Sequence, residues 1–230
     1  MFSIIIPVYN EANEIAKTIA NTREACVNGE VEIIVVDGGS VDDTVAVAQA
    51  QRVKVIMGTK GRAKQMNLGA SIATGEILYF LHADSIPPHH FNLSVLDAIK
   101  KGASSGCFRL VFDHDHWFLK ANSWFTRFNV NVIRFGDQSL FVSNEVFERC
   151  GGFREDLILM EDQEIIHRLK RHGKFRIIND FVTTSARKYM ENGIYRMQAI
   201  FFRIWALYYL GYPQEKLLIL YKKLIRKHKL

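Results

Sequence analysis

Short runs of β-branched and aliphatic residues alternate with amphipathic stretches through the first third of the chain, and nothing else in the sequence constrains the fold as much. FSIIIPVY is followed by EANEIAKTIANTREA, VEIIVVDG by DDTVAVAQAQ, VKVIMG by GRAKQMNLGASIA, and EILYFLHAD closes the series. A strand period giving way repeatedly to a helix period is the signature of βαβ units. The segments around Glu32–Val36 and Ile77–Leu81 are apolar almost without interruption, as expected of strands buried on both faces of a mostly parallel sheet flanked by helices. The fold class is therefore α/β. Beyond Pro87 and Pro88 the pattern predicts a helix from Phe91 to Lys101, a strand over SSGCFRLVF and an aromatic-rich stretch from Trp117 to Phe135. A strand DQSLFVS, a helix from Glu161 to Arg171, a strand KFRIINDFVTT and a helical pair broken at Gly211, Tyr212 and Pro213 complete the chain. We divide it into a domain over 1–190 and a C-terminal basic helical extension over 191–230, packed on the domain or on a membrane surface.

Several function classes drop out at once. Neither GxGxxG after the first strand nor GxxxxGK[ST] anywhere is present, so dinucleotide oxidoreductases and P-loop NTPases lose the backbone cradle that holds their phosphates. The formal charge of +6 is unevenly placed: residues 187–230 hold ten Lys or Arg against two Glu, which leaves the first 186 residues at −2. A nucleic-acid face over the main body is thereby disfavoured. Three cysteines without CxxC spacing indicate neither a disulfide framework nor a cysteine zinc site, which fits a reducing cytoplasm. MFSIIIPVYNEA lacks the basic flank and cleavage site of a signal peptide and is too short to span a bilayer. The expected location is cytoplasmic, with peripheral contact to the inner face of the membrane through the basic C-terminus as an open possibility.

In open α/β sheets ligands bind beyond the carboxyl ends of the strands. There the sequence places Tyr9, Asn10 and Glu11, then Asp37, Gly38, Gly39 and Ser40, then Gly61 and Arg62, then His82, Ala83 and Asp84. Each has a plain structural reading. Asp37 could cap a turn, Arg62 could be a solvated residue at a helix start, and Gln65 and Asn67 could tie loops together. Glu161 and Asp162 could simply complement the dipole of the helix they open, and Asp137 with Gln138 could form a hairpin turn.

Taken in order, PVYNE (Pro7–Glu11), DGGSVDDT (Asp37–Thr44), a helix containing Asn67 and ending at Gly75 and Glu76, the HAD triplet (His82–Asp84) and the pair Glu161–Asp162 resemble the family 2 glycosyltransferases with a GT-A fold. The resemblance spans residues 2–190 or so. It implies a nucleotide-sugar donor, a UDP-sugar in the first instance, lying against Pro7, Tyr9, Glu11, Asp37, Gly38, Arg62, Asn67, His82, Ala83 and Asp84. It implies a divalent metal, Mn²⁺ or Mg²⁺, on Asp84, the last position of a DxD-like triplet. His82 replaces the usual first carboxylate; imidazole suits Mn²⁺ better than Mg²⁺, so His82 is a second candidate ligand. The region where many relatives carry a metal-binding His reads TTSARKY here, with Arg187 and Lys188 in its place. By the same resemblance Asp162 is the general base, Glu161 its helper, and Asp137 and Gln138 line the acceptor pocket.

RFGDQSLFV, GRAKQMNLGA, LHAD and SARKY together resemble a bacterial subgroup labelled arsenosugar-biosynthesis glycosyltransferases. QxxRW, the mark of processive polymer synthesis, is absent around Arg203–Trp205. The implied reaction is a single, inverting, metal-assisted sugar transfer to a hydroxyl acceptor. A nucleotidyltransferase and a non-catalytic sugar-nucleotide binder or scaffold are the alternatives. KLLILYKKLIRKHKL, basic around an apolar stripe, is the segment that could meet an anionic membrane surface.

Overall fold

The computed structural model describes residues 1–27, 31–130 and 136–226. Among these, eight strands form one sheet: β1 (Phe2–Val8), β2 (Val31–Asp37), β3 (Lys54–Met57), β4 (Ile77–Phe80), β5 (Ser85–Ile86), β6 (Ala103–Phe112), β7 (Leu140–Ser143) and β8 (Lys174–Thr184). The helices are α1 (Ile15–Ala25), α2 (Thr44–Ala50), α3 (Arg62–Ser71), α4 (Phe91–Lys100) and α5 (Trp117–Phe125), then α6 (Asn144–Arg149), α7 (Glu161–His172), α8 (Arg187–Asn192), α9 (Ile194–Tyr209) and α10 (Gln214–Leu224).

The strand order is β3-β2-β1-β4-β7-β6-β8-β5. β1 pairs in parallel with both β2 and β4, β2 with β3, and β6 with β8, whereas β7 runs antiparallel to its two neighbours. The chain turns outward in opposite directions on either side of β1, so a crevice opens where β1, β2 and β4 end. Val8 lies opposite Asp37, which brings the loops after β1 and β2 side by side.

The apolar strand runs divide by period two, as successive side chains must. Ile4, Ile6, Val35 and Tyr79 pack on one face with Ile15, Ile19, Phe91 and Val95 of α1 and α4. Ile5, Ile34, Leu78 and Phe80 pack on the other with Met66, Phe147, Ile165 and Leu169 of α3, α6 and α7. A Cβ on Gly69 would lie 2.5 Å from Ile5 Cγ2, so glycine there lets α3 rest directly on the sheet and fixes where its first residue, Arg62, stands.

The irregular second half departs from the pattern-based reading in several places, α6 among them. DQSLFVS is strand only from Leu140, because Gly136–Gln138 form a 3₁₀ turn and Ser139 takes a left-handed φ of 57°. The aromatic stretch contains α5, opened by His116, whose Nδ1 accepts from the backbone N–H of Phe118; Arg134 and Phe135 fall outside the described residues. SARKY opens the short helix α8. The C-terminal helices bury Met197, Ile200, Ile204 and Tyr221 against Leu119 and Tyr189, while Leu210 and Ile219 remain 75% and 67% exposed. Among the described residues no helix is long and apolar enough to cross a membrane.

Candidate active site

The loops beyond β1 and β2 are stitched by their own polar side chains. Ser40 Oγ accepts from the Asn10 N–H at 2.8 Å, Asn10 Oδ1 accepts from the Val41 N–H at 2.9 Å, and Thr44 Oγ1 accepts from the Glu11 N–H at 2.8 Å. Asp37 is fully buried and builds the turn: one oxygen accepts the N–H groups of Gly39 and Ser40 at 2.8 Å, the other the Ser40 hydroxyl. These three bonds leave one of the carboxylate's four acceptor sites, on the oxygen that meets the Ser40 hydroxyl. Gly38 is packed under Gln65, whose Nε2 donates to the carbonyls of Val8 and Val36, both at 2.8 Å. Gln65 thus ties α3 to the ends of β1 and β2.

Beyond these loops lies a cavity of about 810 Å³. Pro7, Tyr9, Glu11, His82, Ala83 and Asp84 form its sheet side. Lys60, Arg62, Arg187, Lys188 and Lys222 line it as well, and Lys60 Nζ stands 3.6 Å over the centre of the Tyr9 ring. Arg187, at the start of α8, sits among three carboxylates: Glu11 at 3.3 Å, Asp84 at 3.8 Å and Glu14 at 3.9 Å. Burial works against its charge, but Glu11 and Asp84 outweigh that and hold the guanidinium firmly protonated.

Arg62 is the second focus. Its guanidinium lies 3.2 Å from Glu161 Oε1 and 3.4 Å from Asp162 Oδ2, and the two acids again outweigh burial to raise its pKa. Met160, with a left-handed φ of 70°, turns the chain so that Glu161 and Asp162 open α7 toward Arg62. Glu161 is 2% exposed. Burial pushes its carboxyl up from an ordinary 4.5 to about 7, Arg62 offsetting part of the rise and the Asp162 charge adding to it. Between those two values the folded protein keeps a proton that the unfolded chain has released, so this group makes stability fall as pH rises through that window and stay level above it. Glu161→Gln is expected to remove that slope in urea unfolding series; an unchanged slope would place the titration elsewhere.

Several residues assigned to the site from sequence take other work. Asn67 clamps the turn after α6, with Nδ2 donating to the Phe153 carbonyl at 2.9 Å and to Glu155 at 3.0 Å, and Oδ1 accepting from the Phe153 N–H at 2.8 Å; it lines neither cavity described here. Gln138 is 2% exposed and donates to the Phe108 carbonyl at 3.0 Å, so it faces the body of the protein rather than an acceptor. His82 Nδ1 lies 3.0 Å from Asp137 Oδ1. Burial disfavours a charged His82, yet the bond to Asp137 raises its pKa, and Asp137 in turn is held well below the usual carboxylate range by that bond despite surroundings that disfavour its charge. The bond to Asp137 engages Nδ1 and leaves Nε2 for another partner, the arrangement in which a metal-bound imidazole commonly leans on a carboxylate, so His82 and Asp84 both stay candidates.

Among the described residues no three His, Cys, Asp or Glu side chains converge as a metal cage. Asp84 is a single carboxylate, 21% exposed, facing the cavity. It suits a divalent ion that arrives with a diphosphate, since such ions take one or two carboxylates and complete their shell with phosphate oxygens and water.

A second cavity of about 270 Å³ adjoins the first, and Arg62, Lys188 and Tyr221 line both. Asp137, Glu161 and Asp162 face this second space, with α5 and α9 supplying aromatic walls. The two acids therefore stand where the cavities meet.

Residues 3–156 match the sequence pattern of Glycosyl transferase family 2. The chain belongs to that family. A stretch of 92 residues is 38% identical to a PGL/p-HBAD biosynthesis glycosyltransferase of Mycobacterium bovis, covering 36% of this chain and 35% of that protein. A stretch of 95 residues is 35% identical to an uncharacterized glycosyltransferase of a Nostoc species, covering 38% of this chain and 29% of that one. The matches thus span about a third of the length of these curated relatives. Among solved structures, S. aureus TarS in complex with UDP superposes with a TM-score of 0.68 at 17% identity, covering 80% of this chain and 60% of that one. The Pyrobaculum calidifontis mannosyltransferase PcManGT with GDP-Man and Mn²⁺ gives 0.65 at 20% identity, covering 86% and 59%. Glucosyl-3-phosphoglycerate synthase from Mycobacterium tuberculosis with Mn²⁺, UDP and phosphoglyceric acid gives 0.57 at 20%, covering 80% and 69%. The fold of this family 2 glycosyltransferase is GT-A, as its motifs implied.

Arg187, Lys188 and Tyr189, and the aromatic wall from α9, line these cavities without having been singled out in the sequence as site residues. For the first three the signal was the SARKY motif itself, two lone cations where a metal ligand was expected; for the α9 aromatics there was none.

Proposed function

We propose that this protein transfers a single sugar from a nucleotide-diphosphate sugar to a hydroxyl acceptor, with inversion at the anomeric carbon. The observation that carries this reading is the placement of Asp162 and Glu161 on Arg62 at the junction of a cavity lined by Arg62, Arg187 and Lys188 together with Asp84 and an aromatic-lined one. The first suits a diphosphate, the second an acceptor, and a carboxylate at the junction can reach a hydroxyl approaching from the second side.

In this reading the nucleotide lies against Tyr9 and Lys60, and its diphosphate draws Arg187 and Lys188. Asp84 would hold the divalent ion that the diphosphate brings, and that ion would stabilise the charge left on the departing phosphate. As the acceptor oxygen bonds to the anomeric carbon, the bond from that carbon to the diphosphate breaks, and Asp162 takes the hydroxyl proton. One displacement by the acceptor itself inverts the centre. The pair His82–Asp137 flanks this step and holds the floor between β4 and the 3₁₀ turn. TarS and the mycobacterial synthase are described with UDP and PcManGT with GDP-Man; a UDP-sugar is the donor we favour.

Isothermal calorimetry of UDP, GDP and dTDP, each with and without Mn²⁺, tests the donor half. UDP is expected to bind tightest, more tightly with Mn²⁺, and Asp84→Ala to lose the Mn²⁺ enhancement while still folding. Failure of all three nucleotides to bind would sink the reading.

A further inference from the structure

The second cavity has an unusual division of chemistry. Phe112, Phe125, Phe201, Phe202 and Trp205 make its walls, with Leu159 between them, while Arg62, Asp137, Glu161, Asp162 and Lys188 supply its charged groups. Several of the neutral polar groups in the walls are already engaged. Gln198 Oε1 accepts from Asn122 Nδ2 at 2.9 Å and from the Tyr189 hydroxyl at 3.0 Å, and the Thr126 hydroxyl donates to the Ser123 carbonyl at 2.6 Å. Two enclosed polar atoms of residues lining this space lack a hydrogen-bond partner: Glu161 Oε1, in charge contact with Arg62 but not aligned for a hydrogen bond, and Trp205 Nε1.

A sugar acceptor presents several hydroxyls, and each one taken from water without a partner costs about 1–3 kcal/mol. Phe112, Phe125, Phe201 and Phe202 offer none. An aryl or alkyl body costs nothing of the kind and gains about 25 cal/mol for each Å² of apolar surface it buries. Phe202 and Phe125, 64% and 49% exposed, leave apolar surface open that such a body would cover.

Building on the acceptor reading above, we propose that this cavity takes an amphipathic acceptor: an apolar aromatic or alkyl body between α5 and α9, carrying one hydroxyl that reaches Asp162 and Glu161. The acceptor is then a phenol or alcohol of hydrophobic character rather than another sugar. The residues that select it are the wall aromatics, not the charged groups that act on the hydroxyl.

Calorimetry on the full chain, with and without saturating UDP and Mn²⁺, tests this with phenol, 4-ethylphenol and 4-butylphenol as one series and methyl glucoside as the contrast. Affinity is expected to rise along the phenol series by roughly fourfold per methylene, the factor equivalent to ~0.8 kcal/mol per buried CH₂. Methyl glucoside is expected to bind more weakly than phenol. A Phe125→Gln, Phe202→Gln double variant, changed at two exposed positions, is expected to halve the length dependence or more without altering UDP affinity or melting temperature. A flat phenol series, tighter binding of methyl glucoside, or an unchanged series in the double variant would overturn the inference. Phenol binding without any UDP binding would instead remove the donor reading and leave the apolar site standing.

Discussion

Asp162→Asn is expected to lower turnover by ~10²- to 10⁴-fold, the usual worth of a positioned general base, with UDP affinity and melting temperature close to those of the unaltered protein. The substitution keeps the shape of the side chain and leaves one oxygen for Arg62, which lies 3.4 Å away. Arg62 also retains Glu161 at 3.2 Å, so no buried cation is stranded and the fold has no reason to loosen. What disappears is the ability to take a proton from the attacking hydroxyl. Glu161→Gln should cost less: Glu161 is 2% exposed and held against Arg62 at 3.2 Å, whereas Asp162, at 17%, is the more accessible of the two to an incoming hydroxyl. Single-turnover rates with donor and acceptor, read beside thermal melts, separate loss of chemistry from loss of structure. If Asp162→Asn retains near-full turnover while Glu161→Gln or Asp137→Asn does not, the base is one of those residues.

The strand pattern exposed the sheet because burial on two faces writes itself into every residue of a run: Ile4 to Ile6 and Ile33 to Val36 are divided between two packed layers. The ends of those strands marked the site for the same reason, since polar residues there had no core to enter. What stayed illegible depended on rotation and on distance along the chain. Arg62 and Asn67 both lie on α3 and the resemblance set both against the donor, while Gln65 and Asn67 also had a plain reading as loop ties, which their hydrogen bonds match. On a helix three and five residues of advance point in different directions: Gln65 turns to the strand ends and Asn67 to the turn at Phe153. His82 and Asp137 are 55 residues apart, and only the antiparallel pairing of β4 with β7 brings them together. The aromatic wall of the second cavity read as ordinary amphipathic helix, because periodicity shows which face is apolar and not whether that face meets core or ligand.

Arg187→Met is expected to weaken UDP binding by roughly ten- to a hundredfold, the equivalent of the ~1.5–3 kcal/mol a hydrogen bond to a charged group contributes. Two effects add in the same direction. The variant removes a cation from the diphosphate side of the cavity, and it leaves Glu11, Glu14 and Asp84, now within 3.9 Å of one guanidinium, with no counter-charge. Three carboxylates at the mouth then repel the very group the site must admit. Mn²⁺ should recover part of the loss, since a divalent ion on Asp84 restores positive charge, and the variant should accordingly show a larger Mn²⁺ enhancement than the unaltered protein. Arg187→Lys should fall between, because an ammonium restores charge but not the forked donors that reach two partners at once. High salt should narrow the differences, as it screens the part of the effect that acts through distance. Calorimetry across the three proteins, with EDTA and with Mn²⁺, reads all of this directly. Equal UDP affinity in all three under both conditions would mean that Arg187 only balances its neighbouring acids, and that the diphosphate is held elsewhere in the cavity.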